Sequence, residues 1–310
     1  MKVVDPHIHL WDLETHHYPW LANPGVSFVG DARVLKHDYL IADLLKDAGD
    51  IELLKCVHVE ANHDPKDPVE ETRWLQSVAD AAGSRSMPNG IVAAVDLAAD
   101  NAAEVLEAHA AFANTRGVRQ ILNVHHDKLY DYVGRHFMRE AAWRENFRLL
   151  RRHGMSFDMQ LYPSQMDDAA ELANAHRDTQ FIVNHTGMFV DRNSVAGYRA
   201  WREGMKTLAQ CPNVAVKISG LAMFDHKWTT ESLRPYVLET IDTFGVERAM
   251  FASNFPVDGL VATLDTIYSG FKAIVKDFSL ADRRRLFHDN AVRLYRLTVP
   301  PSPAGRSAGR

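Results

Sequence analysis

Cysteine is scarce in this sequence. Cys56 and Cys211 are the two examples in 310 residues, and neither lies in a CxxC or a Cys/His finger spacing. A disulfide framework and a structural zinc module are therefore excluded as sources of stability, and both cysteines read as free thiols in a reducing compartment. Long apolar runs are also missing, none approaching the roughly 20 residues that cross a bilayer. The opening MKVVDPHIHLWD lacks the apolar core of a signal peptide. There is no run of basic residues: 35 Lys+Arg against 40 Asp+Glu leave a net charge of −5, which offers no footprint for nucleic acid or an anionic membrane. Missing too are a GxGxxG after the first strand, GxxxxGK[ST] and GxSxG, so dinucleotide-binding, P-loop and α/β-hydrolase readings lose their support. What remains is a cytoplasmic protein with a small-molecule partner. Whether it forms a homo-oligomer is left open.

The apolar share of 46% and charged share of 24% are those of an ordinary globular chain. Strand-like runs fall at 2–9, 53–60, 90–97, 117–122, 155–162, 180–185, 213–220 and 248–255. Helical patterns follow them in turn, at 39–48, from Asp67-Pro68 to Gly83, and near 100–113, 136–152, 164–176, 194–209, 231–243 and 259–276. A last helix, 279–296, opens on Ser279 and Asp282 in capping-box-like spacing. Eight such units predict an α/β fold, a (β/α)8 TIM barrel with room for distortion and an extra C-terminal helix. One domain is expected over 1–298, and the PPSPAGRSAGR end, 299–310, reads as disordered by composition.

In a barrel the active site lies at the C-terminal ends of the strands, so polar residues there matter most. Sixteen histidines are present. His7 and His9 end the first run at period 2 and project to one side. His185 ends the sixth run, and Asn254 and Asp258 follow the eighth. Glu60 ends the second with His58 on the same face. Asp158, Gln160 and Tyr162 share a face of the fifth, as do Lys217 and Ser219 of the seventh. Such side chains interrupt strands that should otherwise read as continuous apolar runs. Arg119 and Lys217 are candidates to hold a substrate carboxylate, although Arg119 reads almost as well as a rim ion pair. Gln120 must face away from Arg119. Trp11, Tyr18 and Trp20 in the long first loop either lid the pocket or pack beneath the loop.

DPHIHLWD, NHTGM, NVAVKISGL and MFASNFPVD, in this order, resemble the amidohydrolase-related proteins from Val3 to about Leu297. More narrowly they resemble the lactonase group that includes L-fuconolactonase, L-rhamnonolactonase and 2-pyrone-4,6-dicarboxylate lactonase. The resemblance implies a hydrolase that opens a small lactone, derived from a sugar acid or from aromatic degradation, by water attack on the ring carbonyl. It places His7 and His9 against that carbonyl, directly or through one divalent metal, zinc or manganese, that His7, His9 and His185 would hold. Metal-free catalysis is the other branch. Most of the superfamily has an aspartate where this sequence has Asn254, and a neutral amide cannot take a proton from water near pH 7. Water activation is therefore expected from His185 or Asp258, with Glu60 in reserve and Asn254 as an orienting group. Asp258 reads equally well as a helix N-cap. A superfamily decarboxylase and a non-catalytic barrel that binds a small acid are the rival readings.

Overall fold

The computed structural model describes residues 2–297. Eight parallel strands lie in sequential order in one sheet. They are β1 (Lys2–Ile8), β2 (Glu52–Val59), β3 (Gly90–Ala94), β4 (Thr115–Ile121), β5 (Ser156–Gln160), β6 (Phe181–Val183), β7 (Val214–Ile218) and β8 (Ala249–Phe251). Eight helices follow them in turn, α1 (Ile41–Ala48), α2 (Glu70–Asp80), α3 (Ala102–Ala110), α4 (Ala141–Phe147), α5 (Met166–Ala175), α6 (Val195–Ala209), α7 (Thr230–Phe244) and α8 (Leu264–Ile274). This is the (β/α)8 barrel that the alternation predicts, and it is nearly closed. Strands covered on both faces bury every residue: β6 is apolar throughout, and β7 is apolar but for Lys217.

Closure is uneven. Ile8 bridges Phe255 just beyond β8, with His9 N–H donating to the Phe255 carbonyl at 2.7 Å and Asn254 N–H to that of His7 at 2.9 Å. Below this bridge the last described helical segment, 285–294, packs against β1 and β8. Asn290 donates to the carbonyls of Val246 and Ala249 at 2.6 and 2.7 Å. Leu294 and Tyr295 complete an apolar floor with Val4, Val57, Val92, Ile182 and Met250.

Several boundaries differ from expectation, each for a local reason. The final helix starts as predicted, with Ser279 Oγ accepting from Asp282 N–H at 3.1 Å. It is interrupted, however, by a π-helical stretch, Arg285–Asp289, before resuming over Asn290–Leu294. The start of α1 is held by Asp43, which accepts from Leu40 N–H at 2.9 Å, while Asp38 just before it accepts from Leu13 N–H at 2.7 Å. The stretch at 136–152 divides into a 3₁₀ turn, α4 and a further turn, Leu149–Arg152. The first long loop carries structure of its own, a helical turn Pro19–Ala22 and a hairpin pairing Val26–Ser27 with Gly30–Asp31. The 299–310 end lies outside the described residues. Among the described residues no helix is long and apolar enough to cross a membrane.

Candidate active site

The backbone at the upper rim is held in conformations that side chains resist. His185, Thr186, Met188 and Asn254 have φ of 53°, 54°, 46° and 59°. Each is a left-handed non-glycine residue that surrounding structure must hold in place. Gly220 (φ 62°) is needed for the same geometry, because a Cβ there would lie 2.4 Å from His185 Nδ1. In β1 the register against β2 shifts between Asp5 and Ile8, where Pro6 has no N–H to give to the ladder.

These features bring the three predicted histidines together. The His7 ring centroid lies 5.1 Å from that of His9 and 4.6 Å from that of His185. All three are buried. Burial holds each well below the usual imidazole range, with Lys217 adding to the effect on His7 and Arg119 to that on His9 and His185. They are neutral near pH 7, so tautomers decide what each can do.

Their neighbours fix two of those tautomers. His9 Nδ1 lies 2.7 Å from the Val59 carbonyl and must donate to it, which leaves Nε2 as an acceptor. That Nε2 faces Asn254 Oδ1 at 3.4 Å. Asn254 Nδ2 in turn donates to Asp258 Oδ1 at 2.7 Å, so two acceptor atoms face each other. His7 Nδ1 lies 3.3 Å from Lys217 Nζ. An ammonium only donates, so His7 carries its proton on Nε2, an atom with no partner of its own. His185 Nδ1 meets Ser219 Oγ at 3.1 Å.

Lys217 does not reach a substrate. It is fully buried below His7, donates to Asp158 Oδ2 at 2.6 Å, and is pulled down to about 8 chiefly by burial. Tyr295 OH and Asn184 Nδ2 donate to the same carboxylate at 2.8 and 3.0 Å. Arg119 is likewise committed. Nε donates to Glu60 Oε1 at 2.5 Å, one Nη to the Glu60 carbonyl at 2.6 Å, and the other to Gln160 Oε1 at 2.8 Å. Glu60 is thus the partner of Arg119 rather than a free base, though burial raises its carboxyl above the usual range. Gln120 faces the other way, accepting from Trp143 Nε1 at 2.7 Å.

A cavity of about 340 Å³ opens over His9 and His185, while His7, fully buried, does not line it. His9, His185, Asn254, Arg119 and Gln160 reach it on the barrel side, and Trp20, Phe28 and Tyr132 on the loop side. Trp11 does not. It is fully buried under the first loop, donates to the His37 carbonyl at 2.7 Å, and meets Trp20 edge to face. Asp258 is no helix N-cap. It sits in a 3₁₀ turn, Val257–Leu260, while Thr263 caps α8, and burial pushes it up to about 7. It stands behind Asn254, outside the cavity wall. The sequence reading missed Asn123, which lines the cavity, and Glu71, which accepts from Ala61 N–H at 3.1 Å and faces His58 Nε2 at 3.6 Å. Asn123 had a faint signal, as the first polar residue beyond the end of β4.

The cluster does not fit a resident divalent ion. Among the described residues no three His, Cys, Asp or Glu side chains have the spacing of a ligand set. Lys217 gives His7 the tautomer whose Nε2 donates, and the aspartate position holds an amide, a weak ligand beside a carboxylate.

The amidohydrolase family matches residues 4–297. This chain belongs to the amidohydrolase family. A relative from Sinorhizobium fredii described as uncharacterized protein y4mH is 49% identical over 96% of this chain and 99% of its own length. An L-fucono-1,5-lactonase from Burkholderia multivorans is 28% identical over 96% of this chain and 97% of its own. Amidohydrolase structures from the same species, one with bound HEPES and one with bound zinc, superpose with a TM-score of 0.79 at 24% identity, covering 96% of this chain and 100% of theirs. At that identity the likeness shows the barrel, and the zinc belongs to that protein. Amidohydrolases commonly hold a divalent metal, and in this member the donor set speaks against one.

Proposed function

We propose that this amidohydrolase is a cytoplasmic lactonase, a carboxylic-ester hydrolase that opens a neutral sugar-acid lactone. The observation that carries the reading is the pair of acceptors, His9 Nε2 and Asn254 Oδ1, next to a His7 ring 5.1 Å from that of His9 whose Nε2–H has no partner. A water donating to both acceptors turns a lone pair toward a carbonyl carbon placed between the rings. As its oxygen bonds that carbon, its proton passes to His9 Nε2, and the imidazolium stays anchored through Nδ1 to the Val59 carbonyl. The carbonyl oxygen becomes an oxyanion and accepts from His7 Nε2–H, which the Lys217 ammonium polarises from behind. The ring C–O bond then breaks, its oxygen takes the proton from His9, and the product is a hydroxy acid. His9 is thus the base, in place of the His185 or Asp258 expected from sequence. His185 closes the far side of the carbonyl.

The substrate class follows from charge. Arg119 and Lys217 are already paired with Glu60 and Asp158, so among the described residues no unpaired Lys or Arg lines the cavity to grip a carboxylate, which disfavours a dicarboxylate lactone. Amides (Asn62, Asn123) beside Trp20 and Tyr132 suit the hydroxyls and C–H face of a sugar ring. The L-fucono-1,5-lactonase relative supports the same class. A panel of aldonolactones followed by acid release tests the reading. Turnover is expected to fall about 10²- to 10⁴-fold in His9→Gln. Carbon dioxide release from an aromatic acid, with no acid from any lactone, replaces it with a decarboxylase.

A further inference from the structure

A chain of forced side-chain orientations runs from the barrel wall into the cavity. Glu60 fixes Arg119 by two contacts, from its carboxylate and from its carbonyl. A guanidinium has no acceptor, so Gln160 must turn Oε1 toward it. Gln160 Nε2 then points at Asn123, which must offer Oδ1, and does so at 3.2 Å. Nothing is left to Asn123 but to present Nδ2 to the cavity. There it meets only the Met188 thioether at 3.4 Å, a weak acceptor. The residue is pinned as well as oriented. Its side chain is buried, and its carbonyl accepts from Tyr132 and Val133 N–H at 3.2 Å each, tying the loop beyond β4 over the site.

We propose that Asn123 is a specificity-determining residue of the lactonase read above, donating from Nδ2 to one ring-substituent oxygen of the substrate. Gln160 is then a positioning residue, touching no substrate and setting which end of Asn123 faces it. The inference rests on the lactonase reading and deepens it. A donor in an apolar setting discriminates strongly, because a substrate without the matching oxygen leaves it unpaired.

Two isosteric changes test this. Asn123→Asp keeps the acceptor for Gln160 and removes the donor. Gln160→Glu keeps the acceptor for Arg119 but cannot donate, so Asn123 turns Nδ2 to it and shows Oδ1 to the cavity. Each variant is expected to raise KM for the best aldonolactone roughly tenfold, with kcat within about twofold, since the contact is present in ground and transition states alike. The decisive readout is a set of deoxy lactones, each lacking one hydroxyl. Wild-type enzyme should lose about tenfold in kcat/KM with one of them, and Asn123→Ala should be indifferent to that same deletion. If wild-type hydrolyses lactones and the Asn123 variants retain its KM and its deoxy profile, the proposal is overturned. If KM shifts in the Asn123 variants but not in Gln160→Glu, the positioning role fails. A wild-type protein inactive on every lactone sinks the lactonase reading instead, a different result. Melting temperatures within a few degrees of wild type show that the variants fold.

Discussion

The two ends of this barrel are built from the same strands and solve opposite problems. At the floor, Val4, Val57, Val92, Ile182 and Met250 meet Leu294 and Tyr295 of the terminal helix in an apolar plug. At the mouth, the same strands end in buried polar groups and in backbone held at positive φ. Regularity and apolar contact keep the floor shut. The mouth gives up both to turn His9, His185 and Asn254 to one cavity, with His7 packed against the two histidine rings. Asp158 joins the ends: its carboxylate takes Tyr295 OH from below and Lys217 from the layer beneath His7. On this build floor residues are expected to set stability, mouth residues chemistry, and the buried ion pair between them both.

Breaking that junction should have the largest effect. Asp158→Ala strands Lys217 without a counter-charge, and a loss of about 3–5 kcal/mol is expected, together with lost turnover because the His7 tautomer is no longer fixed. Denaturant titration and a lactone assay on the same sample check both. A stable, active Asp158→Ala protein removes the junction from the account.

Leu294→Ala should affect one end alone. A buried leucine truncated to alanine costs about 2–5 kcal/mol, and kcat at temperatures well below the new midpoint should be unchanged. A matched fall in kcat would mean that floor and mouth are not separable.

The smallest effect lies at the mouth and depends on pH. Burial raises Asp258 to about 7, and its ionised form holds Asn254 so that Oδ1 is left for water. Activity should therefore climb with pH up to about 7 and level off above, and Asp258→Asn should flatten that limb. Stability from the same group runs the other way. A carboxyl raised in the folded state contributes fully below its unfolded value near 3.8 and loses that contribution as pH rises through about 7. Wild-type protein should thus lose stability relative to Asp258→Asn between those limits. Denaturation midpoints across the range that move in parallel in the two proteins contradict the linkage.

Much of this was readable in the residues, because the signals were local. The alternation of runs predicts eight β/α units, and the polar residues at strand ends mark His7, His9, His185, Glu60, Arg119 and Asn254 as facing inward. Asn254 in place of aspartate already separates this chain from the usual metal-binding pattern. Other features depend on partners far along the chain. Trp11 and Trp20 lie in one loop with similar surroundings in sequence, yet only Trp20 reaches the cavity. Lys217 reads as a free cation, and Arg119 as either a free cation or a rim ion pair, until Asp158 and Glu60, each 59 residues away, are seen to neutralise them.

The sequence by itself determined the barrel, its open end and the residue types gathered there, since periodicity and the rule that strands buried on both sides are apolar act over a few residues at a time. Only the folded arrangement settles which nitrogen of His7 and of His9 carries the proton, which cations are already paired, and which end of Asn123 faces the cavity. Those are properties of hydrogen-bond partners, and Val59, Lys217 and Gln160 become partners of His9, His7 and Asn123 only when the sheet closes.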